Sequence, residues 1–126
     1  MAKGKLVADQ IEHSSEGSVN TQFVVKGSAK AISKQTPSGT QISATSLNIS
    51  SVTDGSTGIN TTAFTNAFNS ASETVTTGIC HDNNYNRAVA WLDTSASQSE
   101  SRTFRTSVGD LIDDFDFSMI THGNLA

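Results

Sequence analysis

The sequence predicts an all-β protein: an antiparallel β-sandwich of the jelly-roll kind, preceded by an extended N-terminal arm. Apolar and polar residues alternate over several short segments, the period that sends successive side chains to opposite faces of a strand. Turn residues separate these segments, at the spacing typical of β-sandwiches. Serine and threonine occupy 19 and 16 of the 126 positions, whereas apolar residues make up only 35%. We therefore expect a thin sheet protein whose partners supply part of its burial.

Residues 1–20 form the predicted arm, and residues 21–126 form the predicted β-domain. The arm is polar and weakly periodic, with one short extended or helical piece expected near Leu6–Ile11. The residues expected to dock the arm onto a larger particle are Lys3, Lys5, Leu6 and Ile11.

Strands and turns are expected in a regular order along the β-domain. Thr53–Gly58, with its Asp-Gly pair and second glycine, predicts a hairpin turn, and the serine-rich Thr94–Glu100 predicts a loop. The predicted strands are a pair within Thr21–Lys34, followed by Thr45–Val52, Ile59–Phe64, Glu73–Cys80, Asn86–Asp93, Ser101–Ser107 and Asp114–Thr121.

Charge is unevenly distributed along the chain. Residues 1–34 contain five lysines and three acids, a balance of +2, whereas residues 35–126 contain three arginines and nine acids, a balance of −6. A basic N-terminal segment on an acidic body is typical of a docking segment, and an acidic body disfavours nucleic acid as the main ligand. In a chain this short, such an asymmetry also arises by chance. No apolar run is long enough to cross a bilayer, and a single cysteine, Cys80, suits folding in a reducing cytoplasm.

Four segments of the chain have an informative order and spacing: GKLVADQIEHS (Gly4–Ser14), TQFVVKGSAKA (Thr21–Ala31), LNISSVTDGSTG (Leu47–Gly58) and FTNAF (Phe64–Phe68). In that order and spacing they resemble fibre-type proteins of marine and cyanobacterial bacteriophages. The resemblance implies a homotrimer in the virion, made in the cytoplasm of the bacterial host. Its partners would be other virion proteins of the tail or capsid and a glycan of the host surface.

The function predicted from this resemblance is a non-enzymatic tail-fibre-like protein that docks by its arm and projects its β-domain for host attachment. One alternative is a capsid decoration protein that stabilises the head. Another is a depolymerase of host polysaccharide, which would need two carboxylates held across a cleft. A chain of 126 residues leaves little room to build such a cleft.

A candidate recognition surface combines aromatic and amide side chains, which together suit a carbohydrate: an apolar ring face beside hydrogen-bonding groups. Trp91 equally suits the core of its strand, and that alternative is the stronger one for a domain of this size. The candidate surface consists of His81, Asn83, Asn84, Tyr85 and Trp91.

Metal sites and cofactors are not expected. The acidic run Asp110, Asp113, Asp114 and Asp116 offers hard oxygen ligands, but it lacks the spacing of a calcium loop and fits a solvated loop and strand face better. The three histidines and Cys80 show no spacing typical of a zinc site.

Overall fold

A computed structural model describes residues 8–15, 17–39, 46–81 and 86–126, with His13 described by its backbone alone. Within these ranges the chain has nine strands, one seven-residue helix, α1 (Thr21–Gly27), and a 3-10 turn at Ala71–Glu73. The strands are β1 (Gln10–His13), β2 (Gly17–Asn20), β3 (Ala31–Gln35), β4 (Ile49–Ser56), β5 (Ile59–Phe64), β6 (Val75–His81), β7 (Arg87–Ser95), β8 (Gln98–Arg105) and β9 (Asp116–His122).

The strands form three antiparallel sheets. β1 and β2 make a separate hairpin, β3, β9 and β6 make a three-stranded sheet in that order, and β4, β5, β8 and β7 make a four-stranded sheet. The all-β, antiparallel class expected from the period-2 segments is therefore confirmed.

The inward faces of the two larger sheets contact each other and share one core. Gln35 of the three-stranded sheet donates its Nε2–H to Thr62 Oγ1 of the four-stranded sheet at 2.7 Å. The ring centroids of Trp91 and Phe117, again one from each sheet, are 5.9 Å apart. The central apolar cluster consists of Ala31, Phe64, Phe68 and Met119, with Ile49 and Trp91 packed against it.

Most of the buried side chains described are polar. Six apolar side chains are buried, against eight polar ones: Ser33, Gln35, Asn60, Thr62, Ser99, Ser101, Thr103 and Thr121. Several of the buried hydroxyl groups hydrogen-bond to backbone carbonyls, as Ser101 does to Asn60 O at 3.4 Å and Thr103 to Ile112 O at 2.5 Å. Such a core removes less apolar area from water than an aliphatic one of the same volume, so its contribution to stability is small.

Asp93 of β7 links the four-stranded sheet to β6, an edge strand of the three-stranded sheet, and to the residue just before β6. Its carboxylate accepts hydrogen bonds from Thr74 Oγ1 at 2.7 Å and from Thr76 Oγ1 at 2.9 Å. Hydrogen bonds to an ionised acceptor are among the stronger ones in proteins, so this clamp holds one edge of the two sheets together.

The predicted pair of strands in Thr21–Lys34 is half wrong. Its second half is β3, but its first half is the helix α1. The Asn20 side chain caps this helix by accepting a hydrogen bond from Gln22 N at 3.0 Å. The cap favours a helix despite the period-2 alternation of Phe23 and Val25, and no described strand pairs with this segment.

The predicted strand Thr45–Val52 is also displaced. Asn48 has a φ of 57°, a left-handed conformation that breaks the extended chain between Leu47 and Ile49. Leu47 consequently pairs with Ile32 beside the three-stranded sheet, whereas Ile49 begins β4 of the four-stranded sheet. Leu47 and Ile49 do alternate with polar residues, but the left-handed conformation of Asn48 between them places the two side chains in different sheets.

The expected hairpin exists, with its turn three residues later than the Asp-Gly pair indicates. Asp54 and Gly55 lie within β4, where the register shifts, and Thr57–Gly58 makes the turn with Gly58 at a φ of 69°. The expected serine-rich loop Thr94–Glu100 is mostly wrong, because β7 and β8 leave only residues 96 and 97 between them. Other strands lie close to expectation, and β5 coincides with its predicted bounds.

Candidate interaction surfaces

The expected docking residues fall partly within the described chain. Lys3, Lys5 and Leu6 lie outside the described residues. Ile11 lies in β1, where its side chain is 48% exposed. The described end of the short extended or helical piece expected near Leu6–Ile11 is extended, because Gln10 and Ile11 lie in β1, and Ile11 pairs with Val19 in the β1–β2 hairpin.

The N-terminal hairpin and α1 form a continuous unit that buries nothing of its own. Thr21 joins the two elements by donating its backbone N–H to Asp9 O at 2.9 Å. No side chain described between residues 8 and 28 is buried. Instead the unit exposes five large apolar side chains: Ile11, Val19, Phe23, Val24 and Val25.

The candidate recognition surface around Trp91 is not assembled by the described residues. Asn83, Asn84 and Tyr85 lie outside them. His81 is exposed at the end of β6, with its Nε2 3.0 Å from Ser118 Oγ. Trp91 instead points into the core, where its ring contacts Phe117 and its Nε1 is shielded from solvent. The structure therefore places Trp91 as the core anchor that the sequence left open as the alternative.

Gly78 makes room for the Trp91 ring. A Cβ atom on Gly78 would lie 2.0 Å from Trp91 Nε1 and 3.0 Å from the Ser118 backbone oxygen. The glycine of β6 and the indole of β7 thus form a hole and its filling, one from each sheet. A glycine interrupting a strand is a recognised sign of close approach by another group, and this was the signal available in the sequence.

The acidic run near the C-terminus is divided among separate structural contacts. Asp113 accepts a hydrogen bond from Gly58 N at 2.5 Å and so holds the β4–β5 turn. Asp114 forms a two-point contact with Arg87, whose Nε lies 3.0 Å from Oδ1. Asp116 lies 4.0 Å from Lys34 across the sheet. Within the described ranges no three His, Cys, Asp or Glu side chains gather as metal ligands.

The outward face of the three-stranded sheet presents a second apolar surface. Strand register places Ile32, Ile120 and Thr77 in one row across the sheet, with Leu47 pairing with Ile32 at its edge. Ile79 and Val75 lie on the same face because they alternate with inward-facing residues. Fractional exposures on this face are 49% for Leu47, 62% for Val75, 65% for Ile79 and 39% for Ile120.

A shallow cleft of about 420 Å³ separates α1 from one end of this sheet. It brings charged groups of both signs together with an apolar wall. Its lining residues are Lys26, Glu73, Val75, His122, Gly123 and Asn124. The cleft therefore marks the place where the N-terminal unit meets the body.

Among the residues that the structure describes, no helix combines the length and the apolar character needed to cross a membrane. No protein-family model, curated protein or solved structure matches the chain.

Proposed function

We propose that the chain is a non-enzymatic structural protein of a bacteriophage particle. In this proposal it is a homotrimer of β-sandwich subunits that docks to the particle by its N-terminal arm and projects its β-domain towards the host surface. The observation that carries the proposal is the N-terminal unit of residues 8–28, which is folded but buries no described side chain.

A folded segment without a core needs a partner. An isolated two-stranded hairpin is at best marginally stable in water, and so is a helix of fewer than about 12 residues. The five exposed apolar side chains of this segment are the ones a partner would cover. Docking onto a larger assembly supplies that burial, which favours a structural, assembling protein over a free monomer.

The exposed surface of the whole chain supports the same proposal. A compact monomer of 13.2 kDa is expected to expose about 6,400 Å². This chain exposes 7759 Å². The difference is of the order of the area that one partner buries in a standard protein interface, roughly 800 Å², or somewhat more.

Three of the described carboxylates support a structural role. Asp113 holds a turn, Asp114 pairs with Arg87, and Asp93 clamps two threonine hydroxyls. A glycosidase needs two carboxylates facing one another across a cleft. These three instead serve contacts within the fold, which favours a binding protein over a depolymerase.

Immunogold labelling of purified phage tests the proposal. We expect label on the tail, consistent with a fibre. Label on the head would replace the fibre with a capsid decoration protein, and particles without label would overturn the virion assignment. Degradation of host polysaccharide by the purified chain would overturn the non-enzymatic assignment.

A matched pair of variants tests the docking arm. Ile11→Glu places a charge on the exposed hairpin, and Thr53→Glu places one on an exposed site of β4. We expect Ile11→Glu to reduce incorporation into particles about tenfold or more, because an unpaired charge in an apolar contact costs at least 1–2 kcal/mol. Equal incorporation of the two variants would contradict docking through the hairpin.

A further inference from the structure

We infer that the N-terminal unit of residues 8–28 opens independently of the β-sandwich in the free chain and folds when it docks. The docking half rests on the proposed function, whereas the opening half concerns the free chain alone. The folded unit described above is then the docked form, and the unit acts as a switch between free and assembled protein.

Burial contributes almost nothing to the folded state of this unit. Among its described side chains only Thr21 is half-buried, and every other one is exposed. Apolar burial is the main source of folding free energy, and segments with few buried contacts open before the rest of a protein does. The body differs, because Phe64, Phe68 and Met119 are buried there in one core.

The hydrogen bonds of the unit are local and lie at exposed sites. Thr21 donates its Oγ1–H to Ala8 O at 2.7 Å, and Asn20 Oδ1 accepts from Gln22 N at 3.0 Å. Among the described strands, β1 and β2 pair with each other and stand apart from the two larger sheets. Because water competes for exposed hydrogen bonds, each adds little to stability, and a lone hairpin or a seven-residue helix is marginal at best.

The boundary between the unit and the body is sharp. Ser28 N donates to Val24 O at 3.0 Å and so closes α1, whereas Lys30 N donates to Thr121 O at 2.8 Å and so belongs to the body. Opening α1 breaks the first of these bonds and leaves the second in place. Beyond this link α1 meets the body at the shallow cleft, where Lys26 and Val75 are both exposed.

Docking supplies the burial that the free unit lacks. The large apolar side chains that the unit exposes and that a partner would cover are Ile11, Val19, Phe23, Val24 and Val25. A segment that folds on binding incurs its ordering cost at that moment, so its contacts form on the particle rather than beforehand. In the free chain these side chains are then not held together as one surface, which lowers the risk that free copies aggregate through them.

Hydrogen exchange of the intact free chain, resolved by NMR, tests the opening half. The amides of Ser28 and Lys30 are a matched pair, since one closes α1 and the other bonds to β9. We expect the protection factor of the Lys30 amide to exceed that of the Ser28 amide at least about tenfold. A smaller ratio would overturn the inference, because the unit would then open only together with the body.

Hydrogen exchange of the chain in purified particles, followed by mass spectrometry of peptic peptides, tests the docking half. We expect peptides from residues 8–28 to exchange at least about tenfold more slowly than in the free chain. Unchanged exchange in particles that contain the chain would overturn the inference and leave the virion assignment standing. Absence of the chain from particles would overturn the proposed function and the docking half with it, whereas the NMR comparison would still decide the opening half.

Asn20→Ala and Asn20→Asp provide an independent readout, because aspartate caps a helix as well as asparagine does. Removing the cap should reduce incorporation into particles about three- to tenfold, since α1 then folds less readily on docking, while the Tm of the body stays the same. Asn20→Asp should be incorporated like the wild type. A lower Tm for Asn20→Ala would contradict independent opening, and equal incorporation of the two variants would contradict folding on docking.

Discussion

Gly78→Ala tests how the two sheets fit together. The new Cβ would lie 2.0 Å from Trp91 Nε1, about 1.5 Å closer than ordinary van der Waals contact. The indole has little freedom to retreat because it packs against Phe117 and the central apolar cluster. The Ser118 carbonyl, 3.0 Å from the new atom, belongs to the paired strand β9 and is fixed as well.

Overpacking of this kind costs about 1–3 kcal/mol or more, and reduced freedom of the unfolded chain offsets at most about 1 kcal/mol. We therefore expect a net loss of about 2 kcal/mol in the free energy of unfolding, or roughly 6–10 °C in Tm for a domain of this size. Thermal unfolding followed by circular dichroism measures it.

Gly27→Ala is the matched control, since nothing lies within 4 Å of the atom it adds. Its Tm should stay the same or rise slightly, because alanine favours a helix more than glycine does. In a Trp91→Phe background, Gly78→Ala should cost less, since the smaller ring leaves space. A Tm for Gly78→Ala within about 1–2 °C of the wild type would refute the hole-and-filling interpretation, because a change that small is well below 1 kcal/mol.

Three further changes probe the turn, the clamp and the polar core. Gly58→Ala should lower stability by about 2–4 kcal/mol, measured by urea unfolding, because its φ is 69° and the new Cβ would lie 2.6 Å from Thr103 O; an unchanged urea midpoint would contradict this. Asp93→Ala should lower the free energy of unfolding by about 1–3 kcal/mol, and Asp93→Asn should lower it less, since the amide keeps one acceptor for the two threonine hydroxyls. Equal melting temperatures of the two variants would argue against the clamp. Thr62→Val should destabilise the fold by about 1–3 kcal/mol, and adding Gln35→Met should restore most of that loss because it removes the stranded amide; strictly additive losses would exclude this pairing.

Local period explains why most of the sheet could be predicted from sequence. The alternation in β9 places Phe117 and Met119 on the buried face, as the period-2 pattern indicates. The same pattern fails at Phe23 and Val25, because the Asn20 cap favours a helix there and none of the described strands pairs with the segment. Period alone does not tell whether a partner strand exists.

The high serine content led to the prediction of a loop where the structure has a strand. Ser99 was expected in the loop Thr94–Glu100 and Ser101 at the start of the next strand, yet both lie in β8 with their side chains buried. Their hydroxyls hydrogen-bond to neighbouring strand carbonyls, so small polar side chains serve here as core-filling groups. A composition rule that assigns serine to loops cannot detect this, because it depends on carbonyl acceptors that the paired strands β7 and β5 supply.

The surfaces for assembly were only partly visible from sequence. Ile11 was expected to dock and is exposed, but the helix that presents Phe23 was not foreseen. The alternation within the predicted strand Glu73–Cys80 places Val75 and Ile79 on one face. Only the sheet order shows that this face of β6 points away from the second sheet and stays uncovered.

Quantitative peptide mass spectrometry of gradient-purified phage particles tests the central claim most directly. A virion structural protein is predicted to be present in a fixed number of copies per particle, in a multiple of three, and to remain at that ratio through repeated purification. A chain abundant in the lysate but absent from purified particles, or present at a ratio that falls with each purification step, would contradict the account.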